Sequence, residues 1–212
     1  MSTPNFTSLD FTDSVPIQYM LRHILPFVPR VPQAMALDLL RQKYIDFARR
    51  TRILCCELTE DYQSGVCDYY LTAPEDHVIY SIVGIEGGQY GYFWHGQERV
   101  QWKNNFDVID NNCIKLRQTP SVDQKDGLKV FVTLLPKECI NYIPSSIVVP
   151  FGQKIAHGVI SDLLNTPNKD WSNPALARRY ELGYEKMLLS ARALSVSNRK
   201  VDSNSIKPLR IL

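Results

Sequence analysis

The sequence predicts an α+β fold: a helical bundle formed by N- and C-terminal helices, with an inserted antiparallel β-sandwich or barrel-like domain. Three observations carry this prediction. Apolar residues recur every three or four positions near both ends of the chain, which is the period of a helix face. From residue 53 to about residue 143 the period changes to two, as in strands. Turn residues interrupt this middle stretch at short intervals.

The predicted organisation divides the 212 residues into five parts. Residues 1–13 form a flexible N-terminus, and residues 14–52 form the first part of the helical domain. Residues 53–143 form the inserted β domain. Residues 144–195 complete the helical domain, and residues 196–212 form an extended C-terminal tail. One large domain, or one domain with a large insertion, suits a chain of this length.

Composition excludes several classes of protein. The net charge is +2, and the basic residues are spread along the chain, which disfavours sequence-independent nucleic-acid binding. No apolar run reaches the roughly 18 residues that cross a bilayer, and the N-terminus does not resemble a secretory signal, so we expect folding in a cytosol. The odd number of cysteines and the lack of a C-x-x-C pair predict reduced thiols without disulfides or zinc: Cys55, Cys56, Cys67, Cys113 and Cys139.

The N-terminal region predicts two helices separated by prolines. Val15 to Leu25 has an apolar side and stops at a proline, which predicts a short helix. The second helix is predicted from about Gln33 to Arg52. Its last turn is basic, as the helix dipole favours. The prolines between the helices are interpreted as residues that separate one helix from the next rather than as a polyproline ligand: Pro26, Pro29 and Pro32.

The middle of the chain predicts many short strands. The clearest is the run from Leu128 to Leu135, in which alternate apolar residues share one face. The other candidates are Ile53–Glu60, Val66–Leu71, Val78–Ile85, Tyr90–His95, Arg99–Lys103 and the run from Cys113 to Gln118. The separating turns are predicted at Gly65, Pro74, Gly87–Gly88, Asn104–Asn105, Asn111–Asn112 and Asp126–Gly127. The glycine-rich run from Gly84 to Gly88 is interpreted as a hairpin turn rather than a phosphate-binding loop.

Two further helices are predicted near the C-terminus. An apolar helix resumes near Pro150 and is closed by Pro167, and the loop Asn165–Asn173 leads into a long helix. Asn173 is a good N-cap, and Pro174 suits the first helical position. The apolar stripe of the long helix is predicted to contain Leu176, Tyr180, Tyr184, Met187, Ala191 and Leu194. We expect Trp171 in the loop to pack against the helical pair; an interface anchor is the alternative.

The C-terminal tail is the predicted partner-binding segment. It is polar and lacks a core stripe, yet it ends in apolar residues that lie beside basic ones. Such anchors on an extended arm suit docking in a partner's groove, and the alternative is a solvated tail. The candidate binding residues are Lys200, Ile206, Lys207, Leu209, Arg210, Ile211 and Leu212.

No local pattern indicates catalysis. The chain has no G-x-G-x-x-G, P-loop or G-x-S-x-G motif, and no histidine has a metal-ligand partner at helical spacing. We therefore expect a protein that is not an enzyme, with no cofactor, no metal and no catalytic residue.

The residues in and around the predicted helix ends resemble those of tailed-phage head-to-tail connector proteins, the adaptors that dock beneath the portal. The N-terminal match consists of Leu25–Pro26, Val28–Pro29, Pro32 and then Lys43, Phe47, Arg50 and Thr51. The C-terminal match consists of Leu163–Leu164, Pro167, Lys169, Trp171–Ser172 and the run from Asn173 to Ala177. Together they cover about 80 residues at both ends of the chain, and the middle is similar only as a β segment of comparable length.

The resemblance implies a structural protein of the virion, located in the neck between head and tail and assembled in the host cytoplasm. It implies a homo-oligomeric ring, generally of twelve copies, on the portal ring. This ring extends the DNA channel, lets genomic DNA pass without specific binding and offers the attachment surface to a downstream tail or nozzle protein. The alternatives are a tail or baseplate module that recognises a polymer through its β domain and, third, a small hydrolase.

Overall fold

The computed structural model describes residues 9, 11–87, 93–94 and 106–197. Within these residues the fold mixes helices with antiparallel sheets, as the sequence predicts for the α+β class. The helices are a 3₁₀ helix (Ile17–His23), α1 (Gln33–Thr51), α2 (Ser145–Leu164) and α3 (Pro174–Ser197). None of these described helices is both long enough and apolar enough to span a membrane.

The strands form three antiparallel sheets, and in the described part of the chain none of them closes into a barrel. The strands are β1 (Ser14–Pro16), β2 (Cys55–Tyr62), β3 (Asp68–Tyr70), β4 (His77–Gly87), β5 (Phe93–Trp94), β6 (Phe106–Asp110), β7 (Cys113–Leu116), β8 (Gln124–Pro136) and β9 (Tyr142–Pro144). Their orders are β2-β8-β4-β5, β3-β7-β6 and β1-β9. The two-stranded sheet pairs Val15 with Ile143, so it joins the chain on either side of the large sheets.

Strand β8 is the centre of the largest sheet. The predicted alternating face is confirmed, because Leu128, Val130, Val132 and Leu134 are at most 1% exposed. The opposite face is also covered at Thr133, whose Oγ1 lies 2.7 Å from the Oγ of Ser81 on β4. A central strand that is buried on both faces carries apolar or hydrogen-bonded side chains on both, which explains the nearly continuous apolar run.

The helices pack mainly around α2. This helix contacts α1, α3 and the 3₁₀ helix, and its apolar residues are almost all buried. Polar contacts also join the C-terminal end of α1 to α3. The Ser195 hydroxyl of α3 donates to the carbonyl oxygen of Arg52 (2.9 Å), just beyond α1, and Arg50 forms a two-pronged ion pair with Glu185. Helices from both ends of the chain therefore contact one another directly.

Two predicted helix boundaries were wrong. Val15 lies in β1 rather than in a helix, and a 3₁₀ helix follows, because Ser14–Pro16 pairs with β9. Helix α2 begins at Ser145 rather than near Pro150, since Pro150 is exposed in its second turn and removes only one backbone hydrogen bond there. The same helix ends at Leu164, directly before the predicted loop Asn165–Asn173, which confirms that boundary. The predicted cap of α3 is confirmed, because Asn173 Oδ1 accepts from the backbone N–H of Leu176 (3.1 Å).

The strand predictions were incomplete. The short strands β1 and β9 and the edge strand β6 were not predicted, because each is stabilised mainly by its pairing partner. Of the candidates Tyr90–His95 and Arg99–Lys103, only Phe93–Trp94 is described, as β5; the rest lies outside the described residues, like Asn104–Asn105 and Gly88. The hairpin turn at Asn111–Asn112 is confirmed.

Two predicted turns lie inside strands instead. Gly84 belongs to β4, where it pairs with Phe131, and β4 continues to Gly87. Asp126–Gly127 belongs to β8, where the register with β2 shifts and Asp126 has a positive φ of 52°. A bulge absorbs the extra residues. A Cβ at Gly127 would lie 3.0 Å from the Tyr62 Cβ. Glycine is therefore needed at this position because β2 approaches the backbone closely, and not because the chain reverses there.

The end of the N-terminal segment contacts the rest of the protein. The backbone N–H of Leu9 donates to Cys55, the ring of Phe11 meets the edge of His77, and Asp13 accepts two hydrogen bonds from Ser145. These contacts connect residues 9 and 11–13 of the segment predicted to be flexible to β2, β4 and the start of α2. Residues 1–8 and 10 lie outside the described residues.

Candidate partner-binding surfaces

The predicted partner-binding residues of the tail lie outside the described residues, which end at residue 197. They are Lys200, Ile206, Lys207, Leu209, Arg210, Ile211 and Leu212. Helix α3 continues to Ser197, so it includes the first two residues of the segment predicted as tail.

Trp171 packs against the main hydrophobic core and is partly buried, as predicted. Its loop is closed by backbone hydrogen bonds, among them Asn173 N–H to Leu164 (2.8 Å) and Ser172 N–H to Lys169 (2.9 Å). The Lys169 ammonium lies 5.9 Å from the indole centroid. The indole Nε1 is buried, and within the described residues it has no hydrogen-bond partner. The packing of the ring, rather than a hydrogen bond, therefore holds Trp171 in place.

The outer face of α3 combines exposed apolar and basic residues. Leu182 and Leu189 are 54% and 70% exposed, and they are seven residues apart, so they share one face. Arg178 and Lys186 lie on the same face at intervals of four residues from Leu182, and both are exposed. Within the described residues neither cation forms an ion pair. The predicted apolar stripe also included Leu194, but Leu194 is 49% exposed and Leu188 is buried instead.

The small net charge conceals a division of charge along the chain. Residues 53–143 contain 13 acidic and seven basic side chains, a net charge of −6. The remainder contains nine acidic and 17 basic side chains, a net charge of +8. The expectation that basic residues do not cluster was therefore too coarse, and counting charge by predicted domain would have revealed the division.

The acidic groove lies between β2 and β3. Its lining residues are Thr59, Glu60, Asp61, Gln63, Val66, Asp68 and Tyr69, and its volume is about 370 Å³. Burial, and then the neighbouring charge of Asp61, raise the pKa of Glu60 above its ordinary value. One more carboxylate adjoins the groove, because Asp123 accepts from Ser64 N–H (2.6 Å), and the lining residue Asp61 accepts from Asp126 N–H (2.9 Å). This end of the β segment concentrates negative charge.

A second groove, of about 450 Å³, runs along α1. It mixes charges of both signs and is lined by Asp38, Arg41, Gln42, Ile45, Asp46, Arg49 and Glu138. Arg41 is held by the carbonyl oxygen of Ile140 (3.1 Å) and by Asp38. In the basic last turn of α1, Arg50 pairs with Glu185, and Arg52, just beyond the helix, lies 5.6 Å from the Tyr80 ring centroid.

The histidines and cysteines are dispersed. His77 is buried, its Nδ1 lies 2.8 Å from the carbonyl oxygen of Glu75, and burial lowers its pKa. His157 on α2 meets the edge of the Tyr180 ring, and His95 lies outside the described residues. In the described ranges no three His, Cys, Asp or Glu residues are placed to hold a metal ion. None of the five cysteines, all of which lie in the described ranges, forms a disulfide bond, and Cys139 is exposed.

No protein-family model matches this chain, and no curated protein sequence matches it at a significant level.

Proposed function

We propose that the protein is a structural adaptor of a phage virion that forms a ring beneath the portal. Its mechanism is binding. In this proposal the terminal helices form a bundle with the β segment as an inserted domain, and the bundles pack side by side. The ring, of twelve copies by resemblance to the connector proteins, extends the DNA channel and offers a surface to the next tail component.

The observation that carries the proposal is the direct contact between helices from opposite ends of the chain. Tyr184 of α3 donates to Asp46 of α1 (3.0 Å), and Ser195 reaches the backbone beyond α1. The β1–β9 pair joins the segment that precedes the 3₁₀ helix to the segment that leads from the β segment into α2. This arrangement agrees with the resemblance to adaptors, whose bundle is built from both termini around a β insertion.

Several of the residues that carry the resemblance occupy packing positions, whereas its prolines and Lys169 are exposed. Val28 is buried before α1, Phe47 and Thr51 are buried within α1, and Ala177 is buried near the start of α3. Their spacing therefore specifies how the helices begin, end and meet. Such positions support a shared architecture rather than a shared reaction.

The surfaces of the protein suit contacts with other proteins. The outer face of α3 presents apolar and basic side chains, whereas the acidic groove, in the β segment, presents carboxylates. A net charge near zero suits a channel through which DNA slides, because each phosphate that is neutralised would add salt-dependent affinity. We propose that DNA passes the ring without specific binding.

The second candidate function is a tail or baseplate module that recognises a polymer through its β segment. The acidic groove favours this candidate, since an open groove with several carboxylates suits a basic or polyhydroxylated ligand. Such a module would bind its polymer without the portal, whereas an adaptor requires the portal.

Negative-stain images of the protein mixed with purified portal rings test the adaptor role. We expect an additional ring of density on one end of the portal, together with a larger particle size than that of either component. Portals of unchanged size and appearance, after mixing at micromolar concentration with excess protein, would overturn the proposal.

A further inference from the structure

The outer face of α3 has the pattern of a protein-binding surface. Arg178, Leu182, Lys186 and Leu189 follow one another along the exposed side of the helix, so that cations and leucines alternate. Arg179 and Arg192 extend the positive charge on its flanks. Exposed leucines gain little from nucleic-acid phosphates, whereas apolar side chains surrounded by charges are typical of protein interfaces. The pattern therefore favours an acidic protein surface over DNA.

A second copy of this chain offers such a surface. Its segment 53–143 carries a net charge of −6, opposite in sign to the +8 of the remainder. Within that segment the acidic groove brings Glu60, Asp61 and Asp68 together in its lining. Lys115 lies 3.8 Å from Asp68 and Lys129 lies 3.0 Å from Glu57, so these cations offset part of the charge.

We propose that the outer face of α3 in one copy binds the acidic groove of the next copy. The two surfaces are different, so the contact is heterologous, and its repetition about a rotation axis closes a ring. The inference rests on the proposed ring-forming function, for which it names the two faces that meet. Complementary charge selects the orientation and speeds encounter, while the leucines supply apolar area.

Charge-reversal variants of the full-length protein test this contact. One variant carries Arg178→Glu and Lys186→Glu on α3, and the other carries Glu60→Lys and Asp68→Lys at the groove. The control carries Lys154→Glu and Lys169→Glu, which make the same change of charge elsewhere in the helical part. Circular dichroism and thermal unfolding establish that each variant is folded before association is measured.

Sedimentation velocity at roughly 300 µM protein and about 20 mM salt, where the Debye length is about 20 Å, gives the readout. We expect the wild type and the control to associate, and association to fall at about 500 mM salt. Each reversed variant alone should associate at least tenfold more weakly, since like charges then face each other. Mixing the two reversed variants should restore association, because each altered face then meets an oppositely charged one.

Three results would overturn the inference: a wild type that stays monomeric at low salt, a reversed variant that associates like the wild type, or a mixture that does not regain association. Binding of duplex DNA that is lost in the α3 variant while self-association is unchanged would assign the face to DNA instead. Portal decoration is measured separately. If the protein decorates portals but does not self-associate, the proposed contact is wrong and the adaptor role stands. If it self-associates but does not decorate portals, the adaptor role is wrong and the contact stands.

Discussion

The ring of Tyr184 on α3 lies directly against Gly158 on α2. A Cβ atom at position 158 would be 3.0 Å from the Cγ and Cδ2 atoms of that ring. The Tyr184 hydroxyl donates to the Asp46 carboxylate of α1 (3.0 Å), so the same side chain connects all three helices. Burial, with the nearby Asp46 charge, raises the pKa of Tyr184, which therefore remains a neutral donor.

We expect Gly158→Ala to destabilise the protein by about 1–2 kcal/mol. Overpacking a tight contact costs roughly 1–3 kcal/mol, and the better helix propensity of alanine offsets part of it. The ring has little room to retreat, because its hydroxyl is held by Asp46. Urea unfolding measures the change. In a Tyr184→Leu background the same substitution should be neutral or stabilising; equal destabilisation in both backgrounds would contradict the contact.

Replacing Trp171 by alanine should lower the free energy of unfolding by about 3 kcal/mol. That value is at the lower end of the cost for a buried aromatic side chain, since Trp171 is only partly buried. Thermal unfolding measures it, and Lys169→Ala in the same loop is the control. An unchanged melting temperature combined with lost tail attachment would make Trp171 an interface anchor instead of a packing residue.

The stability of the protein should fall as the pH drops below about 6.5, partly through His77. Burial lowers the pKa of His77 in the folded state, so the unfolded chain binds the proton more readily below the ordinary value of about 6.5. The stability contributed by neutral His77 is complete above that pH and is lost as the pH falls towards the folded-state pKa.

The variant His77→Asn isolates this contribution. Asparagine can keep the hydrogen bond to the Glu75 carbonyl oxygen without titrating. Unfolding free energies at pH 7.5 and 5.5 should differ less in the variant than in the wild type. His23→Asn, at a less buried site, should change the slope less. A pH dependence that is the same in His77→Asn and wild type would show that His77 does not contribute.

Deleting residues 198–212 should leave the melting temperature nearly unchanged, because residues 17–191 already supply an extensive buried core. The same deletion should abolish attachment to the portal and leave DNA-filled heads without tails. Extended, the tail would reach on the order of 50 Å, enough to contact a neighbouring subunit or a portal. Truncated protein that decorates portals at the wild-type level would assign that contact to the helical part.

The isolated protein should be largely monomeric at micromolar concentration and physiological salt, and it should assemble on the portal. Charged contacts are weakened by salt, and a template offsets the entropy lost when copies associate. Sedimentation of the purified chain measures this. A stable ring without portal would contradict templated assembly, while the adaptor role would remain.

The sequence by itself determined the class of the fold and the elements with strong local signals. The period of two around Leu128 predicted β8, and Asn173 with Pro174 predicted the start of α3, because alternation and capping act over a few residues. Charge counted by domain would also have revealed the acidic and basic parts. The sequence did not distinguish the exposed leucines of α3 from its buried apolar residues, since an apolar pattern alone does not show which side of a helix packs against the rest of the protein.

Only the tertiary structure decided the features that depend on distant residues. Ser14–Pro16 forms a strand because β9 pairs with it from the other side of the insertion. This pairing outweighs the short apolar pattern that predicted a helix from Val15. The bulge at Asp126 follows from its opposition to Asp61. Gly158 is needed because Tyr184 packs on it from another helix. Local propensities amount to tenths of a kcal/mol per residue, so long-range pairing and packing prevail wherever the two disagree.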